Sequence, residues 1–162
     1  MSPAMMTTSG SPRVSFIMPA RNEERFVGQS IASIRECCPP DMLCEIIVVD
    51  HGSSDRTRDI ATAGGAVVLQ PGVATIAALR NAGARMARGN VFVFLDADVT
   101  LTDAWRAGAD SVLRRVLQEP MCISGFNCYA PESDNWLLKY WFSELAKEPN
   151  PTGIGSAHLI VP

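Results

Sequence analysis

The stretch that most constrains this 162-residue chain is VFVFLDADVT, residues 91–100. Val91 to Leu95 form an unbroken apolar run with β-branched and aromatic members, the pattern of a strand buried on both faces. The run passes straight into Asp96-Ala97-Asp98. In extended backbone, residues two apart point to the same side, so Asp96 and Asp98 can present two carboxylates at one strand end. Ionised carboxylates so placed repel each other. A divalent cation removes that conflict, and carboxylate oxygens suit hard ions such as Mg²⁺ or Mn²⁺, which also bind phosphate oxygens. The stretch therefore reads as a metal–diphosphate site. The plainer alternative is a polar turn that holds two aspartates.

The same unit, apolar run then polar loop then amphipathic helix, recurs along the chain. Residues 1–13 are small, polar and Pro/Gly-bearing and are expected to be a disordered lead-in to a single domain over 14–162. VSFIM (14–18) predicts the first strand, stopped by Pro19, and Val27, Ile31, Ile34 and Cys38 mark one face of a helix ended by Pro39-Pro40. EIIVV (45–49) predicts the second strand. A short helix over 55–63 follows, capped by Ser53 or Ser54 and ended at Gly64-Gly65. Residues 66–69 predict a third strand. Ile76, Leu79, Gly83 and Met86 then form a helical stripe with Arg80 and Asn81 near its middle.

After the central strand, Thr102 or Asp103 caps a helix to about Leu117, with Trp105, Ala109, Val112 and Val116 inward. Residues 121–128 and 156–161 predict two more strands, and 134–147 an aromatic-striped helix. Strands alternating with helices give an α/β fold, a mostly parallel sheet with helices on both faces. Such sheets bind ligands outside the carboxyl ends of their strands. Asn22-Glu23, Asp50 and Asp96-Ala97-Asp98 all fall at such ends and are expected to converge.

Composition narrows the function classes. Net charge is −3, which gives no footprint for nucleic acid. Twelve of the fourteen basic residues are Arg, a residue type suited to phosphate contacts. The five cysteines form no C-x-x-C and read as reduced core thiols of a cytoplasmic protein. No signal-peptide pattern opens the chain, and no apolar run approaches the ~20 residues of a membrane span.

Four motifs in order, Pro19-Ala20-Arg21-Asn22-Glu23-Glu24, Val48-Val49-Asp50-His51-Gly52-Ser53-Ser54-Asp55, Arg80-Asn81-Ala82-Gly83 and Phe94-Leu95-Asp96-Ala97-Asp98, resemble those of the family 2 glycosyltransferases with the GT-A fold. The resemblance covers 14 to about 100 and continues more weakly to 162. It implies a Rossmann-like sheet and inverting transfer of a sugar from a nucleoside-diphosphate donor to an acceptor hydroxyl. Pro19, Ala20, Arg21 and Glu23 would line the nucleotide, with Glu23 near the ribose or base. Asp50 and His51 would hold the base and Arg80 would support that pocket. Asp96 and Ala97 would approach the ribose, and Asp96 and Asp98 would hold Mn²⁺ or Mg²⁺. The structural alternatives are a Glu23-Glu24 pair that favours a helix N-terminus, a solvated Arg80 and a loop His51.

The chain departs from the family at three places. His51 stands where a second Asp is frequent. The family's general base lies on a later acidic motif, and the chain ends before one, so the nucleotide half is expected to be largely complete and the acceptor half incomplete. No Gln/Arg-x-x-Arg-Trp motif of polymerising members occurs. Residues 136–146 read either as an acceptor-facing or membrane-surface helix, peripheral at the inner face of the membrane, or as core or a homodimer contact. His158 reads as a structural strand residue or one that reaches the metal. Two competing functions remain at this point: a non-catalytic nucleotide-sugar-binding fragment, and a haloacid dehalogenase-type phosphatase, whose D-x-D-x-[TV] loop LDADVT also fits.

Overall fold

Apolar runs of β-branched residues set the sheet. The computed structural model describes residues 13–39, 42–72, 75–119 and 158–161. Five strands, β1 (Arg13–Ala20), β2 (Leu43–Asp50), β3 (Val67–Leu69), β4 (Val91–Leu95) and β5 (His158–Val161), form one sheet in the order β3-β2-β1-β4-β5. The first four are mutually parallel, and β5 runs antiparallel along β4, with Leu95 opposite His158. The fold is the mostly parallel, helix-flanked sheet that the sequence predicts.

Period-two alternation divides the core. Val14, Phe16, Met18 and Ala20 of β1 face one way, with Val27, Ile31 and Ile34 of α1 (Val27–Cys37) and Trp105, Ala109, Leu113 and Val116 of α4 (Asp103–Gln118). The Phe16 and Trp105 rings meet at 5.8 Å, which ties α4 to the central strand. Helix α2 (Thr57–Ala63) adds Ala61 to the same layer. Ile17 points to the other face, where Leu79 of α3 (Ile76–Met86) packs with Ile47 and Val49.

Several expectations need correction. β1 does not stop at Pro19: it runs to Ala20, with Pro19 opposite Val49, because a residue whose N–H is not needed in the ladder tolerates proline. Ser53 and Ser54 do not cap α2, whose first residue is Thr57. The N-cap position is Arg56, which makes no side-chain cap bond, and Asp55 one residue earlier accepts from the Thr57 N–H with Oδ1 at 3.0 Å. Ile76 and Met86 are exposed rather than inward, since α3 touches the sheet only around Leu79 and Gly83. Leu113 rather than Val112 is the fully buried member of the α4 stripe. Thr102 precedes α4 without a side-chain cap bond. The cysteines are not all reduced thiols: Cys38 and Cys44 form a disulfide across the α1–β2 connection, while Cys37 is free and buried. Proximity that follows from the hairpin-like approach of helix end and strand start has no signature in Cys spacing. The expected lead-in before Arg13, the strand at 121–128 and the helix at 134–147 lie outside the described residues, as do Cys122 and Cys128.

Candidate functional site

The site is assembled at the carboxyl ends of β2, β1 and β4, three adjacent strands. Strand order reverses between β1 and β4, the position where an open α/β sheet leaves a crevice. The loops after β1 and β2 are clasped together. The His51 N–H donates to Ala20 O at 2.8 Å, and the Asn22 N–H to Ser53 Oγ at 2.9 Å. Asn22 Oδ1 accepts from the Ser54 N–H at 2.9 Å, and the Glu23 N–H donates to Thr57 Oγ1 at 2.8 Å. The Glu24 N–H reaches Asp55 Oδ2, and the Arg56 N–H returns to Glu24 Oε2. Asn22 carries φ +57°, a left-handed conformation that Asn tolerates better than most residues.

These bonds fix what each sequence-predicted residue does in the fold. Asp50 ends β2 at 2% exposure, and its carboxylate accepts from the Ser53 N–H and from Gln70 Nε2 at 3.1 Å. Burial pushes its pKa up, but the hydrogen bonds of Ser53 and Gln70 and the nearby Arg58 charge outweigh that, and the group sits below its ordinary value. Arg21 is exposed beside the clasp, and His51 is half-buried. Arg80 reaches across from α3 to Asp96, Nη2 to Oδ1 at 2.8 Å, so it is not a solvated helix residue.

The 96–99 segment is a tight turn, with the Val99 N–H donating to Asp96 O at 3.1 Å. Ala97 is buried in it and Asp98 is exposed. Glu23 completes the cluster. Burial, the negative charge of Asp98 and that of Asp55 all raise its carboxyl above the ordinary range. Glu23 and Asp98 thus share one electrostatic neighbourhood although 75 residues separate them in sequence (98 − 23).

Among the described residues, no group of three or more His, Cys, Asp or Glu side chains is placed to hold a metal ion. Mg²⁺ and Mn²⁺ do not require such a group: they are commonly held by one or two carboxylates, with water and substrate phosphates filling the remaining positions. Asp98 is solvent-facing and one Asp96 oxygen is not engaged by Arg80 in the ion pair, so this donor set fits such an ion. Two cavities of about 230 and 210 Å³ lie at the opposite end of the sheet, around Cys38–Cys44 and around Arg13, Glu45 and Arg88, and touch none of these residues.

Some contributors were not singled out in the sequence. Ser30 and Ser33 of α1 are buried and bond the segment that follows β4. Two serines three apart beside the apolar stripe of α1 are the signal that could have marked them.

A mostly parallel sheet of this order, with its acidic loops gathered at one carboxyl-end crevice, is the Rossmann-like GT-A glycosyltransferase class. The model of the family Glycosyl transferase family 2 matches residues 15–118, and the chain belongs to that family. It is 34% identical over 122 residues to a TPR repeat-containing protein of Synechococcus elongatus, covering 74% of this chain and 28% of that protein. It is 29% identical over 104 residues to glycosyltransferase AglE of Haloferax volcanii, covering 60% of this chain and 34% of that protein. The chain thus spans about a third or less of the curated relatives it matches. Among solved structures, the glucosyl-3-phosphoglycerate synthase of Mycobacterium tuberculosis in complex with uridine diphosphate superposes with a TM-score of 0.57 at 23% identity. The match covers 93% of this chain and 56% of that one, and it shows the shared fold. The phosphatase reading falls with the family assignment.

Proposed function

We propose that this chain is the donor-binding part of an inverting, metal-dependent glycosyltransferase that takes a sugar from a nucleoside diphosphate. The observation that carries the reading is that the loops after β1, β2 and β4, three adjacent parallel strands, leave the sheet at the same edge with their acids. The 20–24 and 51–57 loops are bonded to each other, and Glu23 of the first lies in the field of Asp98 at the end of β4. Asp50 and His51 flank the base, with Pro19, Ala20, Arg21 and Glu23 along the nucleotide. Arg80 holds Asp96 so that Ala97 and Asp98 face the diphosphate. A Mn²⁺ or Mg²⁺ ion on Asp98 and Asp96 would neutralise the charge that develops on the departing diphosphate. An acceptor hydroxyl attacks the anomeric carbon opposite the leaving group, which inverts its configuration. The proposed domain spans 14–162. The acceptor, the transfer step and any contact with a membrane or a second copy belong to the whole protein.

The test is thermal unfolding with a panel of nucleoside diphosphates, with and without Mn²⁺. Uridine diphosphate is the first probe, because the Mycobacterium tuberculosis synthase of the same fold is found in complex with it. At ~100 times its dissociation constant a true ligand adds about 2.7 kcal/mol. The reading expects one nucleotide to stabilise strongly with Mn²⁺ and weakly without, and Asp98→Asn to abolish the metal-dependent part. Equal stabilisation with and without metal, or none from any nucleotide, would refute it.

A further inference from the structure

The residues that aim the candidate metal ligands are not confined to the acidic loops. Helix α1 carries Ser30, Ser33 and Cys37 at spacings of three and four, which place them on one face. Ser30 is fully buried, and its hydroxyl donates to Ala97 O at 2.8 Å, the carbonyl between Asp96 and Asp98. Ser33 Oγ donates to Ser30 O at 2.8 Å and accepts from the Leu101 N–H at 2.9 Å. Cys37 Sγ lies 3.5 Å from Thr102 O as a weak donor. Ala97 and Leu101 are themselves buried, so water cannot replace these partners without opening the core. Along six residues, 97 to 102, the chain is tied to α1 by three side chains. Arg80 fixes Asp96 from α3 on the opposite face of the sheet.

We infer that Ser30 and Ser33 are positioning residues: the α1 hydroxyls hold the 97–101 backbone so that Asp98 is presented to the cation and diphosphate. This rests on the donor-binding reading above. A hydroxyl is suited to the task because it both donates to a carbonyl and accepts from an amide, and Ser33 does both. The helix that follows the first nucleotide loop thereby sets the geometry of the last one. Partners of this kind that orient a metal ligand typically change metal affinity 10–100-fold when removed.

The experiment compares wild type with Ser30→Ala, Ser33→Ala and Ile34→Val. The last thins the shared core on the same helix but removes none of the three side-chain bonds to the 97–102 segment. The readout is the ratio of uridine diphosphate affinity with Mn²⁺ to that without it, set against each variant's melting temperature. The serine variants should lose about 10-fold or more of that ratio. Ile34→Val should lower the melting temperature and leave the ratio intact, and Ser33→Thr, which keeps the hydroxyl, should restore it. A ratio unchanged in the serine variants, or lowered equally by Ile34→Val, overturns the inference. Should Ser30→Ala fail to fold, Ser33→Ala is read in the same way.

Should wild type show no Mn²⁺-dependent gain, the donor-binding reading fails, and hydrogen exchange in the ligand-free chain decides the positioning separately. The Leu101 amide should exchange at least about 10-fold faster in Ser33→Ala than in Ile34→Val. Equal rates would refute the hold on the loop.

Discussion

Asn22 and Glu23 are neighbours with opposite effects on the fold. Asn22 joins two loops through both its backbone N–H and its side-chain oxygen, in a left-handed conformation. Replacing it with Ala removes the Oδ1 acceptor and leaves a residue that tolerates the left-handed conformation less well than Asn. Asn22→Ala should cost about 1–2 kcal/mol in chemical denaturation, and Asn22→Gly, which adopts that conformation freely, should cost less. Glu23 is held above its ordinary pKa by burial, Asp98 and Asp55. A carboxyl with a raised folded pKa favours folding when protonated, and that contribution is lost as pH rises through the folded value. Glu23→Gln should therefore raise the melting temperature at neutral pH, a gain that fades below about pH 4. A melt series from pH 3 to 7 measures it. At this scale the sequence showed which acids gather, because each follows an apolar run. It did not show that Asn22, Ser53, Asp55 and Thr57 are tied to one another, since hydrogen bonds between loops about 31 residues apart leave no periodicity.

Helix α3 shows how an element is placed by what it lacks. Gly83 sits against β1 and β2, and a Cβ there would press into the Ile17 side chain and come within 3.0 Å of Val49 Cγ2. Ala is the better helix former by about 1 kcal/mol. Overpacking a tight contact costs about 1–3 kcal/mol, and here it involves branched side chains in the sheet. Gly83→Ala should thus destabilise the chain despite its propensity gain. It should also weaken nucleotide binding, because α3 carries Arg80 to Asp96. A stabilised variant with unchanged affinity would contradict this placement of α3. Among the described residues, element types and order were legible from unbroken apolar runs for the strands and from the 3.6 period for the helices. The misplaced details, Pro19 inside β1, Asp55 rather than Ser53 bonding the Thr57 N–H at α2, and Ile76 exposed on α3, each depend on partners supplied by other elements. The Cys38–Cys44 pairing is of the same kind.

At the scale of the whole molecule, the two ends of the sheet have different chemistry. The carboxyl ends gather acids that range from the buried Asp50 to the exposed Asp98, whereas at the amino ends Glu45 Oε1 accepts from Ser15 Oγ and from the Arg88 and Gly89 N–H groups. Burial raises the Glu45 pKa, but those hydrogen bonds and the Arg88 charge outweigh it, and the carboxyl sits below its ordinary value of 4.5. A lowered folded pKa contributes stability above the unfolded value, and that stability is lost as pH falls through the folded one. Wild type should lose stability as pH drops below about 4.5, and Glu45→Gln should flatten that loss. Denaturation midpoints against pH check it. Asp50 and Asp55 add in the same direction and Glu23 opposes.

The central claim is that loops from β1, β2 and β4 grip one cation-bound diphosphate. Paramagnetic broadening by Mn²⁺ in the isotope-labelled chain saturated with uridine diphosphate tests it directly. The account predicts that amides of Glu23, Ala97 and Asp98 broaden first, then those of His51 to Ser53, while Leu43 to Glu45 and Arg88 to Asn90 stay sharp. Broadening centred on the amino ends of the strands, or scattered without a centre, would contradict it.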